Sequence, residues 1–287
     1  MALHRIAGPR LLWIALFALA GCGLASTKQE VLIRHVVPDD RLDLLLVHYG
    51  VTTTDSTSQT LEQAVTTVGR VLRAERVFPA PLAAIDLDQG LPPISEAQRE
   101  ALGCVRVTEA GAFRDSEGRL GLYQVVRIER LGFVMKIVNE AIATSMLAVP
   151  SDREWTDFDT RSFELWQKKA REGSPWATFR DGSLYVEVPL SRALKDKLVA
   201  ALVAELRNDR DKTFYMNLLT QTGNLSYANE TLSWRFDGDE HGTMRLAIEG
   251  KVLHTTRLSD LLAEKGLIPD EVSTLDAVLA KLEKPTR

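Results

Sequence analysis

Five histidines, two cysteines and a few close-set aspartates are the residues of this chain whose types and spacing bear on chemistry. Ile85-Asp86-Leu87-Asp88 ends an apolar run and sets two carboxylates two residues apart, as an aspartyl nucleophile or the opening ligands of a calcium loop would be. A calcium loop needs a glutamate at its twelfth position, and Ala97 stands there. His35 and His48 fall on what reads as one β-hairpin. If its turn sets Val37 opposite Arg41, His35 faces Asp43 and His48 faces Glu30, and a His–carboxylate pair can orient a general base. Cross-strand charge pairing accounts for the same pattern, and the sequence places no serine or cysteine nucleophile beside it. His241 sits among Asp237, Asp239 and Glu240 without metal-ligand spacing, which suits a wet turn. Cys104 follows a short helical stretch, as a small buried residue or, alternatively, a reactive thiol.

The other thiol, Cys22, has more specific surroundings. Arg5 and Arg10 precede an apolar run of ten, Leu11 to Ala20. A membrane-spanning helix needs about 20 predominantly apolar residues, so the run fits the h-region of a secretory signal. Leu19-Ala20-Gly21-Cys22 then resembles the lipobox of bacterial lipoprotein precursors. The resemblance covers only the leader. It implies cleavage between Gly21 and Cys22, leaving Cys22 as the lipid-bearing N-terminus. Each buried methylene adds about 0.8 kcal/mol and one chain holds only weakly, so two or three acyl chains on Cys22 give durable attachment. Gly23, rather than Asp, follows the cysteine, which in enteric-type sorting directs such proteins to the outer membrane, facing the periplasm.

With residues 1–21 removed, 33 basic side chains stand against 39 acidic ones, a balance of −6 that argues against a nucleic-acid partner. Cys22 being committed to lipid, Cys104 has no intramolecular partner, and no disulfide framework holds the fold. No cofactor or metal motif appears.

The elements that must position these groups follow from periodicity. Residues 22–29 read as a lipidated tether, with the fold beginning near Glu30. Val31–Val37 and Arg41–Val51 are strands about a Pro38-Asp39-Asp40 turn. Ser56 to Gln59 has capping-box spacing before a helix carrying Leu61, Ala64, Val65, Val68, Val71 and Leu72. Residues 82–87 form a short strand and 94–102 a short helix. Cys104–Thr108 and Leu120–Ile128 flank a turn at Asp115–Gly118. Leu131–Leu147 is a helix apolar almost all round, which predicts a central place in the core.

After a Val149–Asp152 linker, a helix around Phe163, Trp166 and Ala170 stops at Gly173. A strand over Val186–Leu190 leads to a helix capped by Ser191, with Leu194, Leu198, Leu202 and Leu206 on one stripe. Phe113-Arg114-Asp115 and Phe179-Arg180-Asp181 open similar strand, turn, strand and helix successions, 66 residues apart. Lys212–Leu219 is another strand candidate. Leu232, Trp234 and Phe236, then Met244, Leu246 and Ile248, alternate with polar or small residues and predict one antiparallel hairpin. Two helices, about Leu258–Leu262 and Val272–Leu282, close the chain.

Hairpins followed by helices predict an α+β fold: antiparallel sheet built from hairpins and covered by helices, in regions 30–150 and 151–287 that form one domain or two. Asp86-Leu87-Asp88 resembles the nucleophile motif of haloacid-dehalogenase-type phosphatases. The usual Thr or Val is replaced by Gln89-Gly90, and the strand–helix alternation of that sheet is missing. Two function classes therefore stand. One is a lipid-anchored envelope protein, held in the membrane through Cys22, that binds an envelope protein or lipid partner or supports assembly. The other is a membrane-tethered hydrolase with an active site assembled from residues distant in sequence. The missing nucleophile, metal and phosphate motifs favour the first.

Overall fold

The computed structural model describes residues 24–79, 84–88, 94–148, 160–206, 224–239, 242–249 and 257–268, together with 273, 274, 277 and 280. The fold is α+β, and the chain divides into two compact units. One comprises the described residues up to Glu129 and those from Arg245 onward; the other runs from Arg130 to Met244. The two units meet at 129/130, and the chain returns to the first unit from Arg245 onward.

The first unit is built on a six-stranded sheet of order β13-β2-β3-β8-β7-β14. Its strands are β2 (Lys28–Val36), β3 (Arg41–Tyr49), β7 (Val105–Arg114), β8 (Leu120–Ile128), β13 (Thr243–Glu249) and β14 (Ser273–Thr274). β14 joins β7 in parallel, while the β2–β3, β3–β8 and β7–β8 ladders are antiparallel. Two small ribbons accompany the sheet: β1 (Leu24–Ala25) pairs with β4 (Thr52–Thr53), and β5 (Val77–Pro79) with β6 (Ala84–Asp86).

Helix α1 (Ser58–Leu72) starts where the Thr57 hydroxyl accepts the Thr60 N–H, one residue beyond the expected Ser56 cap. Ala64, Val65, Val68 and Val71 recur at helical period, and α1 buries them against Ala112, Leu120 and Leu122 of the sheet. Leu258 and Leu262 of α6 (Leu258–Glu264) complete that core. α1 ends with Ala74 at φ 55°, its N–H on Val71 O and the Glu75 N–H on Arg70 O, a closure in which glycine is the usual residue. Helix α2 (Glu96–Gly103) carries a full capping box between Ser95 and Gln98.

The opposite face of the sheet buries Leu45, Val47, Tyr49, Phe113 and Tyr123. Phe113 meets Tyr49 edge-on at 5.7 Å and lies over Gly121, where a Cβ would stand 2.2 Å from its ring. Only glycine leaves room for that ring on the sheet.

Among the described residues, strand pairing is present from Leu24 onward, inside the segment expected to be a tether. Leu24 is 6% exposed and belongs to the α1 core. The Thr27 N–H and hydroxyl both donate to Tyr49 O, at 2.9 and 3.0 Å. Gly50, at φ 53°, permits this approach, since a Cβ there would lie 2.6 Å from the Thr27 hydroxyl.

The second unit holds a four-stranded antiparallel sheet of order β11-β12-β10-β9. The strands are β9 (Ala177–Arg180), β10 (Ser183–Pro189), β11 (Asn224–Ala228) and β12 (Thr231–Phe236). Its helices are α3 (Leu131–Leu147), α4 (Thr160–Arg171) and α5 (Arg192–Leu206).

The expected hairpin of residues 232–236 with 244–248 does not form. β12 pairs with β11 through Asn229-Glu230, both at positive φ as a tight hairpin turn demands, and β13 belongs to the other sheet. Nor is α3 enclosed. Leu131, Val134 and Ile137 are buried, whereas Val138 and Leu147 are 41% and 44% exposed. The apolar circumference overstated the contact, because packing here engages one stripe. On α5, Leu194 is buried but Leu198 is exposed. Asn139 ties α3 to β9 instead: its Nδ2 donates to Met135 O and Ala177 O, and its Oδ1 accepts the Trp176 and Ala177 N–H groups. The 149–152 linker, the 212–219 strand and most of the last expected helix lie outside the described residues.

Candidate functional site

The β2–β3 register decides the fate of the histidines. A 3-10 turn, Val37–Asp39, and Asp40 at φ 46° set Val36 opposite Arg41. That is one residue from the expected alignment, and a one-residue slip exchanges the faces of every side chain. His35 pairs with Leu42 and His48 with Gln29. Neither histidine faces its expected carboxylate.

The two carboxylates have other company. Asp43 is bonded by Arg34, Arg41 and Arg127 at 3.2–3.4 Å. Glu30 is fully buried; Oε2 accepts the Tyr49 hydroxyl at 2.7 Å, and Oε1 accepts Arg245 at 2.7 Å and the Lys28 ammonium. Burial pushes the Glu30 carboxyl up, but the bonds from Lys28, Tyr49 and Arg245 outweigh it and hold it below the usual carboxylate range. Burial, then the bond to Glu30, raises the Tyr49 hydroxyl.

His48 is 4% exposed, and burial alone pushes its imidazole down to about 4, so it is neutral at physiological pH. Its Nε2 is buried without a hydrogen-bond partner among the described residues. It borders a cavity of about 20 Å³ lined by Leu24, Ala25, Ser26, Val51, Pro79 and Leu122. That volume suits a single water molecule. Two amides fix β5 nearby: Gln29 donates to Pro79 O and Gln124 to Val77 O. His35 is also shifted down by burial, with Asp40 opposing the shift.

Asp86 accepts from Arg70, and Asp88 pairs with Arg76, so this aspartate pair ties the β5–β6 ribbon region to arginines at and beyond the end of α1. Cys104 is buried, its thiol directed to Glu100 O at 3.5 Å. Cys22 and His241 lie outside the described residues. No group of three metal-ligating side chains gathers among the described residues.

Sequence reasoning did not find the open groove of about 230 Å³ on the four-stranded sheet. The β10–β12 register sets Tyr185 opposite Arg235 and Glu187 opposite Ser233, while β11 adds Asn224 and Ser226 in line with them. The guanidinium groups of Arg180 and Arg235 lie 5.3 and 5.6 Å from the Tyr185 ring centre. Arg235 also donates to Asp237 at 2.6 Å, and Lys169 reaches Glu187 at 3.2 Å. The groove thus offers an aromatic ring, an amide, two hydroxyls and charges of both signs. The polar residues alternating along β10 and β12 are its only trace in the sequence.

No family model, curated protein or solved structure matches the chain. Among the described residues, no helix is long and apolar enough to cross a membrane.

Proposed function

We propose that this chain is a lipid-anchored protein of the bacterial cell envelope, held by acyl chains on Cys22, whose folded body binds a partner or supports assembly. The observation that carries the reading is Leu19-Ala20-Gly21-Cys22 closing the ten-residue apolar run. Gly23 after the cysteine favours the outer membrane, with the body in the periplasm.

The groove beside Tyr185 supports a binding role. Its donors and acceptors stand beside the apolar Val186 and Trp234, which suits an amphipathic partner, and its volume lies below the roughly 300–1,000 Å³ of pockets for drug-sized ligands. A short segment of an envelope polymer or protein with polar and apolar groups fits it better than an enclosed small molecule does.

The test is Cys22→Ala in the native host. The variant should lose all labelling by a clickable fatty acid and leave the membrane pellet. Normal labelling and pelleting of that variant would refute the anchor.

A further inference from the structure

We infer that the body docks directly on the lipid headgroup layer that holds its anchor, through the end of the first unit formed by β1, β4 and the start of α1. The inference rests on the lipid-anchor reading of Cys22. Leu24 is already buried and hydrogen-bonded in register with Thr53, so the body begins two residues after the acylated cysteine. Two residues of extended chain reach at most about 7 Å. The headgroup region of one leaflet, half the difference between a ~30 Å hydrocarbon core and a ~40–45 Å bilayer, is about 5–8 Å thick. A body with so little free chain cannot stand clear of the headgroups.

The surface at this end fits such a partner. β4 ends at Thr53, on the Leu24 rung, and the chain then presents Thr54, Ser56, Thr57, Ser58 and Gln59, all exposed and uncharged. The one acid in that stretch, Asp55, accepts from the Thr57 N–H and hydroxyl at 2.9 and 2.8 Å. Hydroxyls and an amide exchange hydrogen bonds with phosphate and glycerol oxygens, and besides Asp55 residues 54–59 carry no charge. The Val51 N–H donates to Leu120 O, which brings the β7–β8 turn to the same end, and there Arg119 pairs with both Asp115 and Glu117. The β2–β3 turn at Val37 lies at the far end of β3, eight residue steps or roughly 27 Å away.

The experiment uses full-length lipidated protein reconstituted into vesicles of phosphatidylethanolamine and phosphatidylglycerol carrying a headgroup nitroxide. A bimane label is placed at Ser56→Cys or at Val37→Cys, in a Cys104→Ala background. The Ser56 label should be strongly quenched and the Val37 label should not. Inserting ten Gly/Ser residues between Gly23 and Leu24, with a root-mean-square span of about 17 Å, should relieve the quenching at Ser56. Protein that floats with the vesicles but shows equal quenching at the two positions would overturn the docking and leave the anchor standing. Protein that fails to float would overturn both.

Discussion

Protonation of His48 should weaken the fold over a defined pH window. In the unfolded chain its imidazole titrates near 6.5, and in the folded protein burial pushes it down to about 4. Between those values the unfolded state holds a proton that the folded state does not, so stability falls as pH falls. The slope is about 1.4 kcal/mol per pH unit for one proton, giving a total near 3 kcal/mol by pH 4. Against the 5–15 kcal/mol typical of a domain, that loss is a substantial fraction. Urea unfolding of residues 24–287 at half-unit steps from pH 7.5 to 4 measures it.

Other groups titrate with the same sign. His35 is shifted down as well, and carboxylates with depressed values, Glu30 and Asp115 among them, lose their contribution at lower pH as they protonate. The comparison that isolates His48 is therefore wild type against His48→Leu, which removes the buried nitrogen and keeps an apolar side chain of similar reach. The difference in free energy between the two proteins should change by about 3 kcal/mol across pH 6.5 to 4 and stay level above pH 7.5. A pH-independent difference would show that His48 is not held neutral by the fold.

Asn139→Ala should destabilise by about 2–4 kcal/mol in urea melts, because the Trp176 and Ala177 N–H groups lose their acceptor; exposed Glu140→Ala on the same helix should change less than about 0.5. Gly121→Ala drives a methyl into the fully buried Phe113 ring and should lower stability by about 1–3 kcal/mol or more, measured as a drop in Tm. Ala74→Gly should raise the urea midpoint by up to about 1 kcal/mol equivalent, since Ala74 sits at φ 55° where glycine is unstrained. Trp234 is half-buried and stacked on Phe236 at 5.0 Å, so its truncation should fall below the roughly 3–5 kcal/mol of a fully buried tryptophan while still exceeding that of exposed Arg235.

The fold class was legible because helix and strand periods are strong where one face is wet. Leu120–Ile128 and Leu131–Leu147 begin and end where the pattern placed them. The two similar successions also share a form: β7 and β8 make a hairpin followed by α3, and β9 and β10 a hairpin followed by α5. The β2–β3 register was not legible. Val31, Leu32 and Ile33 are apolar on both faces, so alternation cannot choose between alignments one residue apart; the 3-10 turn chose. The partner of β12 was hidden for a related reason. Alternation in Leu232, Trp234 and Phe236 reports a face with one side covered, and says nothing of which strand lies alongside. Asn229-Glu230 carried the missing signal, a tight turn between two short strands, and the more prominent Asp237–Gly242 loop outweighed it.

The perturbed groups bear on function through what each is prevented from doing. A general base needs a lone pair that substrate can reach and an acidity near the working pH. Both oxygens of Glu30 are already bonded, and Tyr49, Lys28 and Arg245 hold its charge in place. His48 keeps a free Nε2, but the cavity before it admits about one water, and a base with a pKa near 4 binds protons poorly at neutral pH. These two residues lie on opposite faces of the same strand pair, so no substrate meets both. The groove beside Tyr185 is the reverse case: it is open, and it sets Tyr185, Glu187 and Arg235 beside Val186 and Trp234. Neither buried site offers a reachable, proton-binding base, whereas the groove lies open on the sheet.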